Sequence, residues 1–454
     1  MSRQRLLLAF TLLILLSLIG WWSLPFVINN LPAVIRAQLP HQVIQLVETP
    51  LPTALPAPVA LTTPQITIPA ILSPTPTPFT IENSQLTIDN SPTPTPLPID
   101  NSQLTIDNSQ LTIDNSQLTI DNSPTPTATE MPLPASVHLQ GLAVIPQRFN
   151  NCGPTNLAIN LNYYGRETDQ LAVAGVVKPN SDDRNVSPGD LAYYVQNHTD
   201  MAITIHAAGD LETLKRLLAA GYPVVVEKGL IPSEEEGWMG HYLTVIGYDD
   251  ASQQFVTLDT FLGPWDSSGL RVSYEEMNTF WQHFNYTFFV VYPPEEETVI
   301  HQLLGPTLLD PLAMWQNAAE QAQRDIAQNG DNAFAWFNLG SSLIQLGQLT
   351  GEPAFSDNAA AAYDQARTLG LPWRMLWYQF GPYEAYLANG RTDDIFTLTE
   401  AMFGSSGGQN VEETYYYRGQ AKLALGDMAG ATADFQTALQ LNPNYIAAQT
   451  ALDS

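Results

Sequence analysis

Residues Val144–Gly165 read VIPQRFNNCGPTNLAINLNYYG, and Cys152 within them is the only cysteine in the 454-residue chain. The stretch passes from loop to helix at that cysteine. Pro154 suits the first turn of a helix, where its missing N–H has no intrahelical partner to lose. Leu157, Leu161 and Tyr164 recur at helical spacing, and Gly165 is placed to end the helix. A cysteine at a helix N-terminus sits at the positive end of the helix dipole, which favours the nucleophilic thiolate. The unpaired backbone N–H groups of the first turn can bind an oxyanion. Gln147, five residues earlier, offers a side-chain N–H to the same hole. A lone cysteine by itself reads equally as a small buried hydrophobe, so the helix-opening context is what gives Cys152 a chemical reading. One cysteine also excludes an internal disulfide and a zinc site built on several thiolates.

The second informative stretch is GHYLTVIGYDDASQQFVTLD, Gly240–Asp259. Two runs of strand-forming residues flank the turn-forming Asp249–Ser252, which predicts a hairpin. With the turn centred on Asp250, His241 falls directly opposite Asp259 and on the same face. The carboxylate then orients the imidazole, and the imidazole takes the thiol proton. A slip of one residue breaks this arrangement. Two plainer readings stand beside it. His241 reads also as a packing histidine. Asp259 reads also as a cap for the turn at Phe261–Pro264, which leaves Asp266 as the next carboxylate able to orient the ring. His198, His206 and His283 lack such context and read as surface or packing residues, with no metal site expected. Glu234, Glu235, Glu236 and Trp238 lie just before His241. They predict a loop beside the site, either simply solvated or a mobile acidic lid selecting a basic substrate residue.

Taken in order, these elements resemble the bacteriocin-leader (double-glycine) peptidase family of papain-like cysteine enzymes. The resemblance rests on Gln147, on Cys152-Gly153-Pro154 opening a helix that ends Tyr163-Tyr164-Gly165, on Gly240-His241-Tyr242, and on Leu258-Asp259. It covers residues 140–292. It implies a papain-like α+β fold with Cys152 as nucleophile, His241 as base, Asp259 as orienter and Gln147 in the oxyanion hole. It implies amide hydrolysis through a thioester, with a peptide or protein substrate and no cofactor. The chain departs from transporter-fused members. Asn151 replaces an acidic residue before the cysteine, and no Walker-type glycine loop follows. A double-glycine leader is therefore not assigned as substrate. Two other functions compete: a papain-like amidase or transferase acting on cell-wall peptides, and an inactive papain-like domain carried beside a binding module.

Outward from these stretches the chain reads as multidomain. Arg3 and Arg5 precede an apolar run, Leu6–Ile28, long enough to span a bilayer, with Trp21 and Trp22 near its far end. Residues 1–30 are expected to be a single-pass transmembrane anchor with a cytoplasmic N-terminus and an extracytoplasmic body. Cleavage of the segment as a signal peptide is the alternative, and gives a secreted protein. Residues 31–136 read as a disordered Pro/Thr-rich linker, dense in proline at Ser73–Phe79 and Ser123–Thr127. Within it NSQLTID recurs from Asn83, Asn101, Asn108 and Asn115. Leu104 and Ile106 stand two apart, which is strand spacing and not that of a coiled coil. Residues 137–294 form the α+β papain-like expectation.

Residues 295–454 read as helices only. Gly419, Gly426, Ala431, Phe435, Ala438 and Pro443 stand at tetratricopeptide spacings, with Tyr415 before them. A second copy begins at Trp336, with Gly340 and Leu343, and resumes at Ala359, Tyr363 and Ala366 after an insertion near Thr350–Ser356. Trp373–Phe403 reads as a degenerate third. Arg418 and Lys422 occupy positions that are usually apolar. A plain helical bundle is the alternative; as repeats, the helices would bind a protein partner. The net charge of −28, from 17 Lys and Arg against 45 Asp and Glu, argues against nucleic acid as a partner.

Overall fold

The computed structural model describes residues 54–59 and 132–453, Glu235 and Ser267 excepted. The apolar run Leu6–Ile28 and the NSQLTID repeats lie outside the described residues. Among the described residues no helix is long and apolar enough to cross a membrane.

Val224–Leu230 (β3) and Phe288–Tyr292 (β7) are buried along their whole length, because helices cover both faces of the sheet they share. With β1 (Ser136–His138), β2 (Ala202–His206), β4 (Met239–Asp249), β5 (Gln254–Leu258) and β6 (Leu270–Ser273) they form one sheet of order β2-β7-β3-β4-β5-β6. All pairings are antiparallel, and β1 pairs with the far end of β4. Side chains alternate between the faces. Val224, Val226, Leu243, Phe288 and Val290 pack with Trp281 on one side. Val225, Tyr242, Phe289 and Val291 pack with Leu157 and Leu161 on the other.

The second face carries α1 (Cys152–Tyr163), α2 (Gln170–Val177) and α3 (Pro188–His198). The first carries α4 (Leu211–Ala219) and α5 (Tyr274–Trp281). The same core runs on into Ile300, Leu304 and Leu308 of α6 (Glu297–Leu309), so the helical region shares hydrophobic surface with the sheet domain.

After β7 every element is helical. Following α6 come α7 (Pro311–Gln328), α8 (Ala333–Thr350), α9 (Pro353–Leu369), α10 (Gly381–Ala388), α11 (Thr392–Gly404), α12 (Glu412–Ala424), α13 (Met428–Leu441) and α14 (Ile446–Asp453). Two helix pairs show why small residues recur. A Cβ on Gly419 would lie 2.5 Å from Phe435, and one on Gly340 would lie 2.8 Å from Tyr363. In each pair the glycine admits the aromatic ring of the partner helix. The extra residues expected as an insertion near Thr350–Ser356 lengthen the helices instead. Thr350 ends α8, Gly351 turns through a left-handed conformation, and Pro353 already begins α9. The two off-pattern cations are also explained. Arg418 and Lys422 both pair with the buried carboxylate of Asp434, at 2.6 and 2.7 Å.

One stretch of the presumed linker is built into the fold. Residues 54–59 lie against α9 and α11, and Leu55 is only 4% exposed.

Candidate active site

Cys152 is the first residue of α1, and Asn151 before it makes no side-chain cap. The loop is held from outside instead, by Gln170 of α2. Its Oε1 accepts from the Arg148 N–H at 2.7 Å, and its Nε2 donates to the Pro146 carbonyl at 2.9 Å. Asn150 takes a left-handed conformation (φ 55°) that asparagine tolerates. Its carbonyl accepts from the buried ammonium of Lys178 at 3.1 Å. Gln170 and Lys178 thus fix the chain that leads into Cys152.

His241 lies near the start of β4, opposite Lys228 of β3. Its Nε2 meets Asp259 Oδ1 at 3.1 Å, with the two residues 3% and 1% exposed. Nδ1 is the ring nitrogen that Asp259 leaves free, and the imidazole lies close enough to Cys152 for each to bias the ionisation of the other. Burial opposes ionisation of all three groups and is the largest single influence on each, yet mutual pairing outweighs it. The thiol is held below its ordinary value by the His241 hydrogen bond and charge, helped by backbone groups of Tyr242 and Gly153. His241 is pushed up to about 9 by Asp259 and Cys152. Asp259 is held down to about 2 by His241 and by the N–H groups of Leu262 and Phe261.

Asp259 therefore does both things its position suggested. The oxygen that faces His241 also accepts from the Phe261 and Leu262 N–H groups, at 2.8 and 2.7 Å. Asp266 does not reach the imidazole; its exposed carboxylate accepts from the Ser268 N–H at 2.9 Å. Gln147 is bound to the residue after Asp259. Its N–H donates to the Thr260 carbonyl, and its Oε1 accepts from the Thr260 hydroxyl, each at 2.8 Å. The amide NH2 is then the end left to donate.

The direct cross-strand register expected for His241 and Asp259 is not the one formed. The turn is longer than a centre at Asp250 implies, and Asp249 pairs with Gln254. A bulge between Val245 and Gly247 then shifts the pairing by one, so Val245 meets Thr257 and Thr244 meets Leu258. Asp259 stands just beyond the last pair and meets His241 on a diagonal.

The acidic segment before His241 is tied down. Trp238 is buried, stacks on Phe284 at 5.9 Å, and donates from Nε1 to His283 Nδ1 at 3.0 Å. Arg374 of the helical region donates to the Glu236 carbonyl at 2.6 Å. In this structure the segment is thus held at Glu236 and Trp238 by the helical region and by His283. His283 and His206 are buried packing residues, pushed down by burial to about 3 and about 4.

Three residues of the site carried little sequence signal. Asn156 is wholly buried one turn into α1. Its Nδ2 donates to the Tyr242 and Cys152 carbonyls, both at 2.9 Å, and its Oδ1 accepts from the Thr244 hydroxyl at 2.8 Å. It joins the cysteine helix to the histidine strand. A buried asparagine four residues from Asn160 on an otherwise apolar helix was the available hint. Tyr378 of the helical region packs over Gly240, where a Cβ would lie 2.9 Å from its ring, and burial pushes its phenol up to about 12. Phe261 presents an exposed ring 6.4 Å from that of His241, and with exposed Leu262 and Trp265 makes an apolar rim.

Residues 137–289 match the peptidase C39-like family, and residues 412–445 match the tetratricopeptide repeat. The chain thus contains a C39-like peptidase domain followed by helical repeats. No curated protein matches the chain. Among solved structures, it is similar to a protein described as a C39-like peptidase, from Bacillus anthracis (19% identity, 34% of this chain and 96% of that one, TM-score 0.29). It is similar to xylellain, a cysteine protease from Xylella fastidiosa (15%, 36% and 87%, TM-score 0.28). It is also similar to the peptidase domain of Streptococcus ComA, a bifunctional ABC transporter involved in quorum sensing (18%, 34% and 99%, TM-score 0.27).

Proposed function

We propose that the chain is a membrane-anchored, extracytoplasmic cysteine peptidase that hydrolyses peptide bonds through Cys152, His241 and Asp259. The observation that carries this reading is the buried His241–Asp259 pair beside a cysteine that opens a helix. The Cys152 thiolate attacks the scissile carbonyl carbon, and the carbonyl electron pair moves onto oxygen. The Cys152 N–H and the Gln147 amide hold that oxyanion. On collapse the C–N bond breaks, the amine takes its proton from the His241 imidazolium, and a thioester remains. Neutral His241 then takes a proton from water as its oxygen attacks the thioester. The thiolate leaves, the acid product forms, and the imidazolium is restored. Asp259 keeps the ring oriented throughout and stabilises its imidazolium form.

The apolar rim of Phe261, Leu262 and Trp265 favours a substrate with an apolar side chain near the scissile bond. The helical repeats supply a surface for a protein partner. Anchoring rests on Arg3 and Arg5 ahead of Leu6–Ile28, and membrane fractionation of the full chain tests it.

An electrophilic thiol probe and a mixed peptide library test the chemistry on the full chain. Wild type is expected to label and to cleave, and Cys152→Ser to do neither. A folded wild type that labels no faster than free cysteine and cleaves nothing would leave the helical region as the functional part.

A further inference from the structure

The helical region holds a charged cluster unlike anything else in the described residues. Arg367 and Asp394 are 2% exposed and paired at 2.8 Å. Arg391 bridges Asp394 and Asp364, each at 2.7 Å, and the Tyr386 hydroxyl donates to Asp364 at 2.9 Å. Two cations and two anions balance within the cluster.

Hydrogen bonding within the cluster does not close. Arg367 uses Nη1 on Asp394 and on the Tyr386 oxygen. Its Nε and Nη2 face out of the cluster. They donate to consecutive backbone carbonyls, Pro56 at 2.9 Å and Ala57 at 3.0 Å. Asp394 Oδ1 accepts from the Val59 N–H at 3.1 Å, and the Leu371 carbonyl accepts from the Leu55 N–H at 2.9 Å. Without residues 54–59 the two outward donors of Arg367 would lose their carbonyl partners.

We propose that this site is a receptor for an extended, proline-bearing peptide, and that its occupant is the chain's own Leu55–Val59, which clamps the linker to the repeats. The guanidinium fork takes two successive carbonyls of the segment and so reads its backbone. Pro56 and Pro58 restrict the segment towards that conformation and have no N–H to leave unpaired. Leu55 supplies the buried side chain, whereas Val59 is 57% exposed and is read through its backbone alone. The triplet Leu-Pro-Ala recurs at Leu31–Ala33 and Leu133–Ala135. In the latter, the carbonyls of Pro134 and Ala135 are taken by the Tyr248 hydroxyl and the Asp250 N–H. Docking joins Leu55–Val59 to the repeats directly. A partner segment of the same chemistry would compete for the site and release the linker.

The test uses the full chain and needs no catalysis, so its outcome is separable from the peptidase reading. Amide exchange at Leu55 and Val59 is followed in wild type and in Leu55→Asp. A labelled peptide of residues 51–62 is titrated into both. Wild type is expected to protect both amides by about tenfold or more over the free peptide, and to bind the labelled peptide weakly. Leu55→Asp is expected to lose the protection and to bind the peptide in trans. Fast exchange at both positions in wild type overturns the proposal. So does an equal affinity of the two chains for the peptide, or a Leu55→Asp chain that binds none.

Discussion

His241 Nε2 lies 3.1 Å from Asp259 Oδ1, although Asp259 stands one residue past the last pair of its strand. The one-residue bulge at Ile246 makes this contact possible. Continued from Asp249–Gln254 without the bulge, the register would set Asp259 opposite Thr244, on the other face from His241. With the bulge, Asp259 falls opposite Leu243, and His241 is its same-face diagonal neighbour. The pair is then buried, and each charge stabilises the other.

That pairing predicts a pH profile. The thiol is held below its ordinary range and His241 is raised to about 9, so thiolate and imidazolium coexist between those limits. Cleavage should rise on an acidic limb set by the thiol and fall on a basic limb near pH 9, as the imidazolium that protonates the amine is lost. Alkylation of Cys152 shares the acidic limb but not the basic one. In His241→Ala only the backbone groups of Tyr242 and Gly153 still oppose the burial of the thiol, and its alkylation limb should move to higher pH. Initial rates of cleavage and of iodoacetamide labelling against pH check this.

Asp259→Asn separates charge from shape. The amide oxygen can still accept from the Phe261 and Leu262 N–H groups, so the turn should survive. The anion that raises His241 is lost, and the basic limb should move down from pH 9. Cleavage should fall by about 10²-fold or more. The linked stability has a definite sign. Asp259 is depressed to about 2, so its contribution is full above an unfolded value of about 3.9 and is lost as pH falls through about 2. His241 is raised, so its contribution is full below about 6.5 and is lost as pH rises through about 9. Urea midpoints of wild type and Asp259→Asn should therefore converge at the acid end.

Asn156→Leu should loosen the join between α1 and β4. It removes the hydrogen bonds donated to the Cys152 and Tyr242 carbonyls and the longer one to the Thr260 hydroxyl, and leaves the buried Thr244 hydroxyl without the acceptor it had. A loss of about 1–3 kcal/mol is expected from urea unfolding. If the asparagine only fills space, Asn156→Leu will unfold at the wild-type urea concentration.

The parts of this site legible in the sequence are those set by neighbours along the chain. Pro154 and the spacing of Leu157 and Leu161 announce a helix at Cys152, and the Asp249–Ser252 turn announces a hairpin. The bulge is invisible at that level. Ile246 is as strand-forming as its neighbours; its carbonyl accepts from the Leu139 N–H at 2.8 Å and its side chain packs with Leu142, Ile159 and Leu258, contacts that no local pattern announces. Gln170 and Lys178 are read as ordinary helix residues until the fold brings them to the Cys152 loop. Tyr378 and Arg374 belong to the repeats by sequence, and only the shared core behind α6 brings them beside Gly240 and Glu236. Glycine and aromatic residues at repeat spacing were legible for the opposite reason. Gly419 with Phe435 and Gly340 with Tyr363 are contacts between successive helices, and chain order preserves them.

Gln147→Ala distinguishes an oxyanion donor from a structural residue. Its side-chain oxygen already accepts from Thr260, so only the NH2 end is available to the reacting centre. Peptide cleavage passes through an oxyanion, and loss of one donor should slow it by about 10²–10³-fold. Alkylation of Cys152 by iodoacetamide is a displacement at saturated carbon and develops no oxyanion, so its rate and pH dependence should stay near wild type. If both reactions fall together, Gln147 acts by holding the loop before Cys152, as Gln170 does from the other side. Thr260→Val removes the hydroxyl that orients the amide, and should reproduce part of the loss in cleavage while leaving alkylation unchanged.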